Sequence, residues 1–469
     1  MLIRVKRLVR VATAVALTVL TLAGLGAAGV TRSVAQSHLP TNTPTRTDLA
    51  PARTSSGRLV VAVALGASGT VGSDALAPFE VFASSPRFSV YTVAESASPA
   101  AVVGGPAIVP TYTFADVAFG RAEKPDIVVV PAVDLPDSTT EAGLRAWVVE
   151  QSHQGARILG VCAGARLLAA TGLLEGRTAT SHWSRISALR KHHPETHWVD
   201  GERYVDDGTI TTTAGITSGI PAALHLIDEL AGTPEAVRVG RLVHYPNWSP
   251  TASTTIPVQS LTADDLPVAL NLAAPWFRPT LGVALVDGVG EVDVASAFEV
   301  YSTSYAAHTV GIAGGNTVTT RHGVVLATLP AADAPALDRV VVPGASEGTA
   351  GDGTTDEGTA DRGRLRDWAD QRGLPFEALR GPSGDAGFDG ALEYLSAAAG
   401  RATAVSAAKM IDYPTSNLDL PPGTAGPRVP LLLLVGLVLA GAVGCLPLVA
   451  RRALRRRRAE TAERSSLPA

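Results

Sequence analysis

The chain has 469 residues, a formal net charge of −4 and only two cysteines. That length has room for two ordinary domain cores with further segments at the ends. Away from the two ends, basic and acidic residues are interspersed, so no patch gathers the positive charge that neutralising phosphates requires. The composition therefore predicts two globular domains and argues against nucleic acid as a partner.

The N-terminal residues 1–35 have the pattern of a signal peptide or a signal anchor. The basic sequence MLIRVKRLVR precedes an uncharged apolar stretch, residues 11–31, and the small residues Ser33–Ala35 fit a cleavage site. Both interpretations stay open. Residues 36–57 are rich in Pro, Thr and Ser without apolar periodicity, which predicts a solvated linker.

The first globular domain is predicted over residues 58–248. Strand-like apolar runs alternate with helical patterns, the runs at residues 59–65, 88–94, 126–131 and 156–161 and the helical patterns around residues 76–84, 140–151 and 163–170. The runs are continuous rather than alternating, as in strands that are covered on both faces. This rhythm predicts an α/β fold with a doubly wound parallel sheet.

A second α/β pattern over residues 279–415 follows a connector at residues 249–278. Three of its segments match the first domain in the same order: DVASAFEVY matches DALAPFEVF, DRVVVPG matches DIVVVPA, and SAAKMIDYP matches VGRLVHYP. These matches predict an internal duplication. The second copy has no counterpart of the cysteine stretch of the first, so we expect it to be degenerate.

An uncharged run near the C-terminus, residues 429–450, predicts a transmembrane helix, because its 22 residues suffice to cross the roughly 30 Å hydrocarbon core. The Arg-rich residues 451–469 should stay in the cytoplasm by the positive-inside rule, and the basic N-terminus follows the same rule. We therefore expect attachment to the cell membrane, with the globular domains on the extracytoplasmic side.

Cys162 lies in the pattern G-x-C-x-G, between Gly160 and Gly164, where a predicted strand meets a predicted helix. The glycines allow the sharp turn of a nucleophile elbow, and the helix start favours the thiolate, which is the competent nucleophile. The alternative is a buried structural cysteine. The other cysteine, Cys445, lies in the apolar C-terminal run, so no disulfide is expected.

The stretch ILGVCAGARLLAATGLLEGRTATSHW resembles the DJ-1/PfpI family of the class I glutamine amidotransferase-like superfamily, and especially the ligand-type domain of AraC-like (GlxA-type) regulators. RYVDDGTITTTAGITSGIPAALHLI and DALAPFEVF resemble further motifs of that family. The resemblance covers residues 58 to about 246 and extends weakly into the second domain. It implies a flavodoxin-like fold.

Position by position, the resemblance implies a site with Cys162 as nucleophile, His182 as its histidine and Asp74 as the acidic residue that approaches the sulfur. Asp74 suits this role only if burial raises its pKa and keeps it protonated, and its other interpretation is the N-cap of a helix that begins near Ala75. His182 is interpreted as a general base, as a residue that orients the substrate, or as a surface histidine at a helix start.

The backbone N–H groups of Ala163 and Ala132 suit an oxyanion hole. The sequence departs from the family pattern here, because Pro131, Ala132 and Val133 stand where the family has PGG, and Ala77 stands in place of a glycine. Each missing glycine restricts how closely a ligand can approach the backbone.

Three weaker signals are given structural interpretations. His193–Glu195 resembles the HPE of glutamine amidotransferases but lies only about thirty residues past Cys162. His193 and His197 are four residues apart, but Pro194 between them argues against a helical metal site. The acidic residues 351–363 lack the spacing of a calcium loop and are expected to form a solvated insertion. We expect no metal and no cofactor.

Two function classes stay open. As an enzyme, the protein would use Cys162 on a small electrophilic metabolite, in a hydrolase-, hydratase- or glyoxalase-like reaction. As a ligand-binding or sensor module, it would resemble the AraC-type regulator domains but without a DNA-binding domain. A redox role is a third interpretation, although the chain has no resolving cysteine. The partners expected are a small molecule and either a second copy of the chain or, by internal pairing, its own second domain.

Overall fold

The structure is a computed structural model that describes residues 2–36, 57–245, 247–344, 356–380, 387–423, 434–443 and 445. Its contacts divide the chain into two units. One contains residues 1–34, 269–277 and 425–469, and the other contains residues 35–268 and 278–424. The predicted linker at residues 36–57 and the predicted tail at residues 451–469 lie outside the described residues, except for residues 36 and 57.

The first of these units contains the N-terminal helix α1 (Leu2–Gln36). Within α1, Val11–Ala35 is long and apolar enough to cross a membrane, and it is the only such helix in the described ranges. Signal sequences share this property, so both interpretations of the N-terminus stay predictions. Of the predicted C-terminal span, the structure describes the apolar helix Leu434–Val443 and Cys445, and the other residues lie outside the described ranges.

The larger unit contains both predicted globular domains, and we keep the names first and second domain for these two parts of it. The first domain contains all the strands and helices predicted for it, with shifted ends. Its strands are β1 (Leu59–Ala64), β2 (Thr70–Val71), β3 (Phe88–Ala94), β4 (Val102–Val103), β5 (Ile108–Val109), β6 (Tyr112–Thr113), β7 (Ile127–Val130), β8 (Arg157–Gly160), β9 (Thr178–Ala179), β10 (His197–Trp198), β11 (Tyr204–Asp207) and β12 (Ile210–Thr213). Its helices are α2 (Gly72–Ala83), α3 (Phe114–Ala118), α4 (Ala142–His153), α5 (Gly164–Ala170), α6 (Trp183–His192), α7 (Gly219–Ala231) and α8 (Thr233–Leu242).

A seven-stranded sheet with the order β11-β12-β8-β7-β1-β3-β6 forms the centre of this domain. β11 and β12 are antiparallel, and the other neighbours are parallel. Val61 of the central strand β1 pairs with Val90 on one side and with Ile127 on the other. Strands buried on both faces need apolar residues at successive positions, which explains the continuous runs. The predicted parallel α/β fold is confirmed for this domain.

The second domain has a smaller parallel sheet. Its strands are β13 (Thr280–Ala284), β14 (His308–Ala313), β15 (Thr317–Thr319), β16 (Val325–Ala327), β17 (Leu329–Pro330), β18 (Arg339–Val342) and β19 (Phe376–Ala378). Helix α9 (Leu266–Ala273) lies in the predicted connector before this domain. The helices of the domain itself are α10 (Glu291–Ser304), α11 (Asp356–Asp370), α12 (Gly387–Ala399) and α13 (Arg401–Met410). The order β17-β14-β13-β18-β19 matches the order β6-β3-β1-β7-β8 of the first sheet, strand for strand.

The two domains pack together through α2 and α10 and share one hydrophobic core, which includes Phe79 and Phe298. Two buried glutamates join the helices reciprocally. Glu80 on α2 accepts the Val292 N–H with its Oε2 (2.6 Å), and Glu299 on α10 accepts from the Ser73 hydroxyl (2.6 Å). β16 also pairs with β5 of the first domain. These contacts bury every residue of α2 from Gly72 to Phe82.

The buried carboxyl of Glu80 should make stability depend on pH. Burial, reinforced by the charges of Glu291 and Asp293, raises its pKa to about 8. The folded protein thus holds a proton that the unfolded chain releases above about pH 4.5, so this contribution to stability is full below that pH and is lost as pH rises to about 8.

Glu80→Gln keeps an acceptor for the Val292 N–H but cannot ionise. Between about pH 5 and pH 8, the free energy of unfolding of the wild type should fall relative to the variant by more than about 1 kcal/mol. Urea denaturation across this pH range measures the difference. Replacing the exposed Glu175 by Gln is the control and should leave the pH dependence unchanged. Parallel stability curves for wild type and Glu80→Gln would contradict the prediction.

Candidate active site around Cys162

Cys162 forms the turn between β8 and α5 with a positive backbone dihedral, φ 55°. Few residues other than glycine adopt this left-handed conformation, so the turn is strained. Two side chains of the same domain hold it in place. The Cys162 N–H donates to Thr213 Oγ1 (3.0 Å), and the Cys162 carbonyl accepts from Ser181 Oγ (3.1 Å). This is the sharp turn that a nucleophile elbow requires.

Both glycines of the elbow are closely packed, and at Gly164 the packing requires glycine. A Cβ atom at Gly160 would lie 2.6 Å from the Cδ1 atom of Leu168, and a Cβ atom at Gly164 would lie 2.1 Å from the backbone carbonyl oxygen of Val130. The second contact is with backbone, which cannot move aside as a side chain can. Gly164 therefore lets α5 begin directly against the end of β7.

The sulfur of Cys162 is almost completely enclosed, since the residue is 5% exposed. Burial raises the pKa of the thiol well above its usual range, and the ionised form of Asp74 would raise it further. The N–H of Ala163 lowers this pKa, as expected at a helix start, but burial outweighs it. The helix start alone therefore does not produce a resting thiolate, and Cys162 is a protonated thiol in this structure.

Asp74 lies in the first turn of α2 and is fully buried. The helix begins at Gly72 with Val71 as its N-cap residue, so the N-cap interpretation of Asp74 is wrong. Its Oδ2 accepts the Ala132 N–H (3.0 Å), whereas Oδ1 has no hydrogen-bond partner among the described residues. Burial raises the pKa of this carboxyl well above its usual range, which is the environment that its predicted role requires.

This contact changes the interpretation of the predicted oxyanion hole. The Ala132 N–H donates to Asp74, so it is not free to donate to an oxyanion. The carbonyl of Ala132 accepts from the Val71 N–H (2.9 Å). Of the two predicted donors, Ala163 is the one whose N–H interacts with the sulfur of Cys162.

His182 is the N-cap residue of α6, where its Nδ1 is 2.7 Å from Ser184 Oγ. Its Nε2 is 2.8 Å from the backbone oxygen of Met410 in the second domain. A carbonyl only accepts, so Nε2 carries the proton and Nδ1 accepts from Ser184. Burial lowers the pKa of His182 to about 4, which keeps the ring neutral at pH 7. With both nitrogens engaged, the ring is not free to act as a general base in this conformation.

The end of α13 and the residues after it, in the second domain, contact residues next to the site, which the sequence did not reveal. Thr217 Oγ1 donates to the Ile411 carbonyl (3.1 Å), and Trp183 Nε1 donates to the Lys409 carbonyl (3.3 Å). Asp412 follows in the left-handed conformation, φ 55°, beside Gly215. The match between SAAKMIDYP and VGRLVHYP marks this corner of the fold. No local pattern places it near a cysteine some 250 residues earlier.

Two groups of carboxylates and histidines lie close enough together to hold a cation in the described part of the chain. They are Glu80, Glu291 and His322, and Asp206, His225 and Glu229. Each histidine already contacts a carboxylate, His322 Nδ1 with Glu291 at 2.8 Å and His225 Nε2 with Asp206 at 3.0 Å. We interpret both groups as ion pairs, and neither includes a residue of the Cys162 site.

The histidines of HHPETH do not form such a group in the described structure. His193 is the C-cap residue that follows α6 and His197 begins β10, so the two do not share a helix. Of the predicted acidic insertion, residues 356–363 lie in α11 rather than in a loop, and residues 351–355 lie outside the described ranges.

Gly164→Ala should destabilise the protein by about 2 kcal/mol or more, because its Cβ would overlap the Val130 carbonyl oxygen and displace the elbow. Thermal denaturation measures the effect. Gly363→Ala is the matched control, since a Cβ there meets nothing within 4 Å and its helical position favours alanine. Equal melting temperatures for Gly164→Ala and Gly363→Ala would show that the elbow tolerates a side chain.

Comparisons with known proteins agree with this architecture. Residues 60–229 match the model of the DJ-1/PfpI family. The isonitrile hydratase of Pseudomonas putida is 31% identical over 174 residues, which are 37% of this chain and 72% of that protein. The transcriptional regulator CdhR of Pseudomonas aeruginosa is 34% identical over 124 residues, 26% of this chain and 37% of the regulator.

Among solved structures, a THiJ/PfpI family protein of Pseudomonas syringae is 27% identical, with a TM-score of 0.37, and the match covers 45% of this chain and 88% of that protein. The relatedness rests on the sequence matches, because the isonitrile hydratase is matched over most of its length. The chain belongs to the DJ-1/PfpI family.

Proposed function

We propose that the first domain performs a cysteine-dependent reaction on a small electrophilic metabolite. The strained elbow supports this proposal above all. Cys162 is held at φ 55° by Thr213 and Ser181, with its sulfur beside both the Asp74 carboxyl and the Ala163 N–H. Strained backbone persists only where the surroundings enforce it, and it concentrates at functional sites.

In this reaction, the Cys162 sulfur forms a bond to an electrophilic carbon as the S–H bond breaks. The S–H proton ends on the substrate atom that receives the electron pair, which is the heteroatom of a carbonyl or nitrile and the attacked carbon itself of an isonitrile. The Ala163 N–H is a hydrogen-bond donor for the negative charge that develops there. Asp74 accepts with Oδ2, so its proton resides on Oδ1 and is available to stabilise sulfur-centred charge. Addition of water then releases the product, as in a hydratase- or hydrolase-like reaction. The similarity to isonitrile hydratase supports this class.

A non-catalytic ligand-binding or sensor module is the second candidate. The enclosed thiol with its raised pKa and the engaged nitrogens of His182 favour it, because both describe a site at rest rather than an activated nucleophile. The similarity to the regulator CdhR points in the same direction.

The organisation of the chain is part of the proposal. We infer that the second domain is a degenerate copy that pairs internally with the first. The matching strand orders and the reciprocal contacts of Glu80 and Glu299 support this inference. We also infer attachment to the cell membrane through the C-terminal apolar segment and, if it is not cleaved, through α1, with the domains on the extracytoplasmic side. The apolar span in α1 supports the attachment.

Cysteine chemistry predicts different behaviour for wild type and Cys162→Ser, both carrying Cys445→Ser so that Cys162 is the only thiol under test. The parent should hydrate a small alkyl isonitrile, and Cys162→Ser should lose this activity by roughly 100-fold or more. Iodoacetamide should alkylate the parent more slowly than free cysteine at pH 8, because burial raises the thiol pKa.

Equal turnover by the two proteins would reject the catalytic proposal. Equal thermal stabilisation of both by the isonitrile, without turnover, would favour the sensor. Alkylation of the parent as fast as free cysteine would contradict the enclosed thiol.

Membrane attachment predicts that the full chain stays in the membrane pellet after extraction with alkaline carbonate, because an inserted apolar helix resists this treatment. N-terminal sequencing of the pelleted chain shows whether α1 is retained as an anchor or removed as a signal peptide. Complete release into the supernatant would contradict the proposal.

A further inference from the structure

We propose that the second domain completes the Cys162 site by supplying Asp412 as the proton acceptor for the attacking thiol. This inference rests on the cysteine-dependent reaction proposed above, and it gives a chemical role to a domain that has no cysteine in its described residues.

The backbone places the Asp412 side chain against the strand end that holds the elbow. Thr213, at the end of β12, accepts the Cys162 N–H, and Gly215 follows two residues later. A Cβ atom at Gly215 would lie 2.2 Å from the Asp412 Cβ and 2.6 Å from its Oδ2. The absence of a side chain at Gly215 therefore makes the room that the Asp412 carboxyl occupies.

The first domain anchors Asp412 through its backbone. Thr217 donates its hydroxyl to the Ile411 carbonyl (3.1 Å) and to the Asp412 carbonyl (3.3 Å), and its N–H also donates to Ile411 (3.3 Å). His182 Nε2 donates to the carbonyl of Met410, the residue before Ile411. These contacts from the Cys162 domain fix the corner at which Asp412 takes its left-handed conformation.

The other groups of the site cannot take up the thiol proton. Both nitrogens of His182 are hydrogen-bonded. Burial raises the pKa of Asp74 well above its usual range, which favours its protonated form, and its Oδ2 accepts the Ala132 N–H. Asp412 differs, because its buried Oδ2 has no hydrogen-bond partner among the described residues. Its charge also raises the pKa of Cys162, so the carboxyl lies within electrostatic range of the sulfur.

The protonation of Asp412 suits both directions of proton transfer. Burial raises the pKa of Asp412 to about 7, and the charge of Arg203 acts against this rise. The charge of Asp412 in turn raises the pKa of Cys162, the titratable group of the elbow. Near neutral pH, both its carboxylate and its acid form are populated. As the sulfur bonds to carbon, the S–H proton passes to Asp412 Oδ2 through one water molecule, because Oδ2 has no hydrogen-bond partner among the described residues, the sulfur included. Asp412 then returns this proton to the substrate atom that received the electron pair, which in an isonitrile is the attacked carbon itself and gives the neutral thioformimidate.

Asp412→Asn tests the assignment in the full chain. Asparagine keeps the shape of the side chain and tolerates positive φ, so the fold should persist with little change in Tm. Turnover of the alkyl isonitrile should fall on the order of 100-fold, and the pH-rate limb near pH 7 should disappear. Meanwhile, the midpoint pH for iodoacetamide alkylation of Cys162 should move down, because a negative charge beside the sulfur is removed.

Asp419→Asn is the matched control, since Asp419 is exposed in the same segment and the substitution makes the same change of charge. It should alter neither turnover nor alkylation. An unchanged alkylation midpoint in Asp412→Asn would overturn the assignment even without a measurable substrate. If turnover is lost in Cys162→Ser but kept in Asp412→Asn, the assignment fails while the proposed function stands. If Cys162→Ser also keeps full turnover, the proposed function itself fails.

Discussion

The burial of helix α2 on every side is the constraint on which the site depends. One side of α2 packs on its own sheet and on α7, and the other packs on α10 of the second domain. Asp74, in the first turn, therefore has no access to water, and its charged form is disfavoured. The same enclosure keeps the neighbouring Cys162 thiol protonated. The second domain thus sets the protonation of a site to which it contributes no cysteine.

This enclosure makes the resting site nearly free of charge. The Cys162 thiol and the Asp74 carboxyl hold their protons, while His182 is neutral because it has lost its own. Burial disfavours the charged form of acids and bases alike, so the three groups reach neutrality for one physical reason. Asp412 is the exception, since its pKa of about 7 lets it change charge near neutral pH. Such a site suits a neutral electrophile, because no ion needs to lose its hydration on binding.

The sequence predicts what is decided locally and misses what is decided across the chain. Continuous apolar runs identified the central strands, and the glycines beside Cys162 identified the elbow, because both patterns reflect contacts made within a few residues. The family resemblance drew attention to Asp74, and its raised pKa agrees with the environment expected for it. The N-cap interpretation of Asp74 failed because α2 begins at Gly72, which places Asp74 inside the first turn of the helix.

The engagement of His182 and the position of Asp412 could not be predicted in this way. Each depends on a contact between parts of the chain that lie some 200 residues apart, Nε2 of His182 with Met410 and Asp412 with Gly215. Sequence periodicity carries no information about such docking. The enclosure that reverses the expected activation of Cys162 has the same origin, because α10 comes from the second domain.

The pairing of the domains is nearly symmetric. The differences between the two sides suggest why the second domain keeps the fold although it has no cysteine site. His244 corresponds to Asp412 in the matched sequences and also has a positive φ, 56°. Burial raises the pKa of Asp293, the counterpart of Asp74, and the charge of His244 acts against this rise. Around Asp293, however, the Gly387 N–H occupies Oδ1 (3.0 Å), and no cysteine is present in the described residues of that domain. Under the proposed duplication, each copy once placed a residue near the site of the other, His244 in one direction and Asp412 in the other. The second copy lost its cysteine and with it the site that His244 would have served. The second domain kept the contacts that it provides to the first, because the Cys162 site depends on α10 for its enclosure and, under the proposed assignment, on Asp412 to accept the thiol proton.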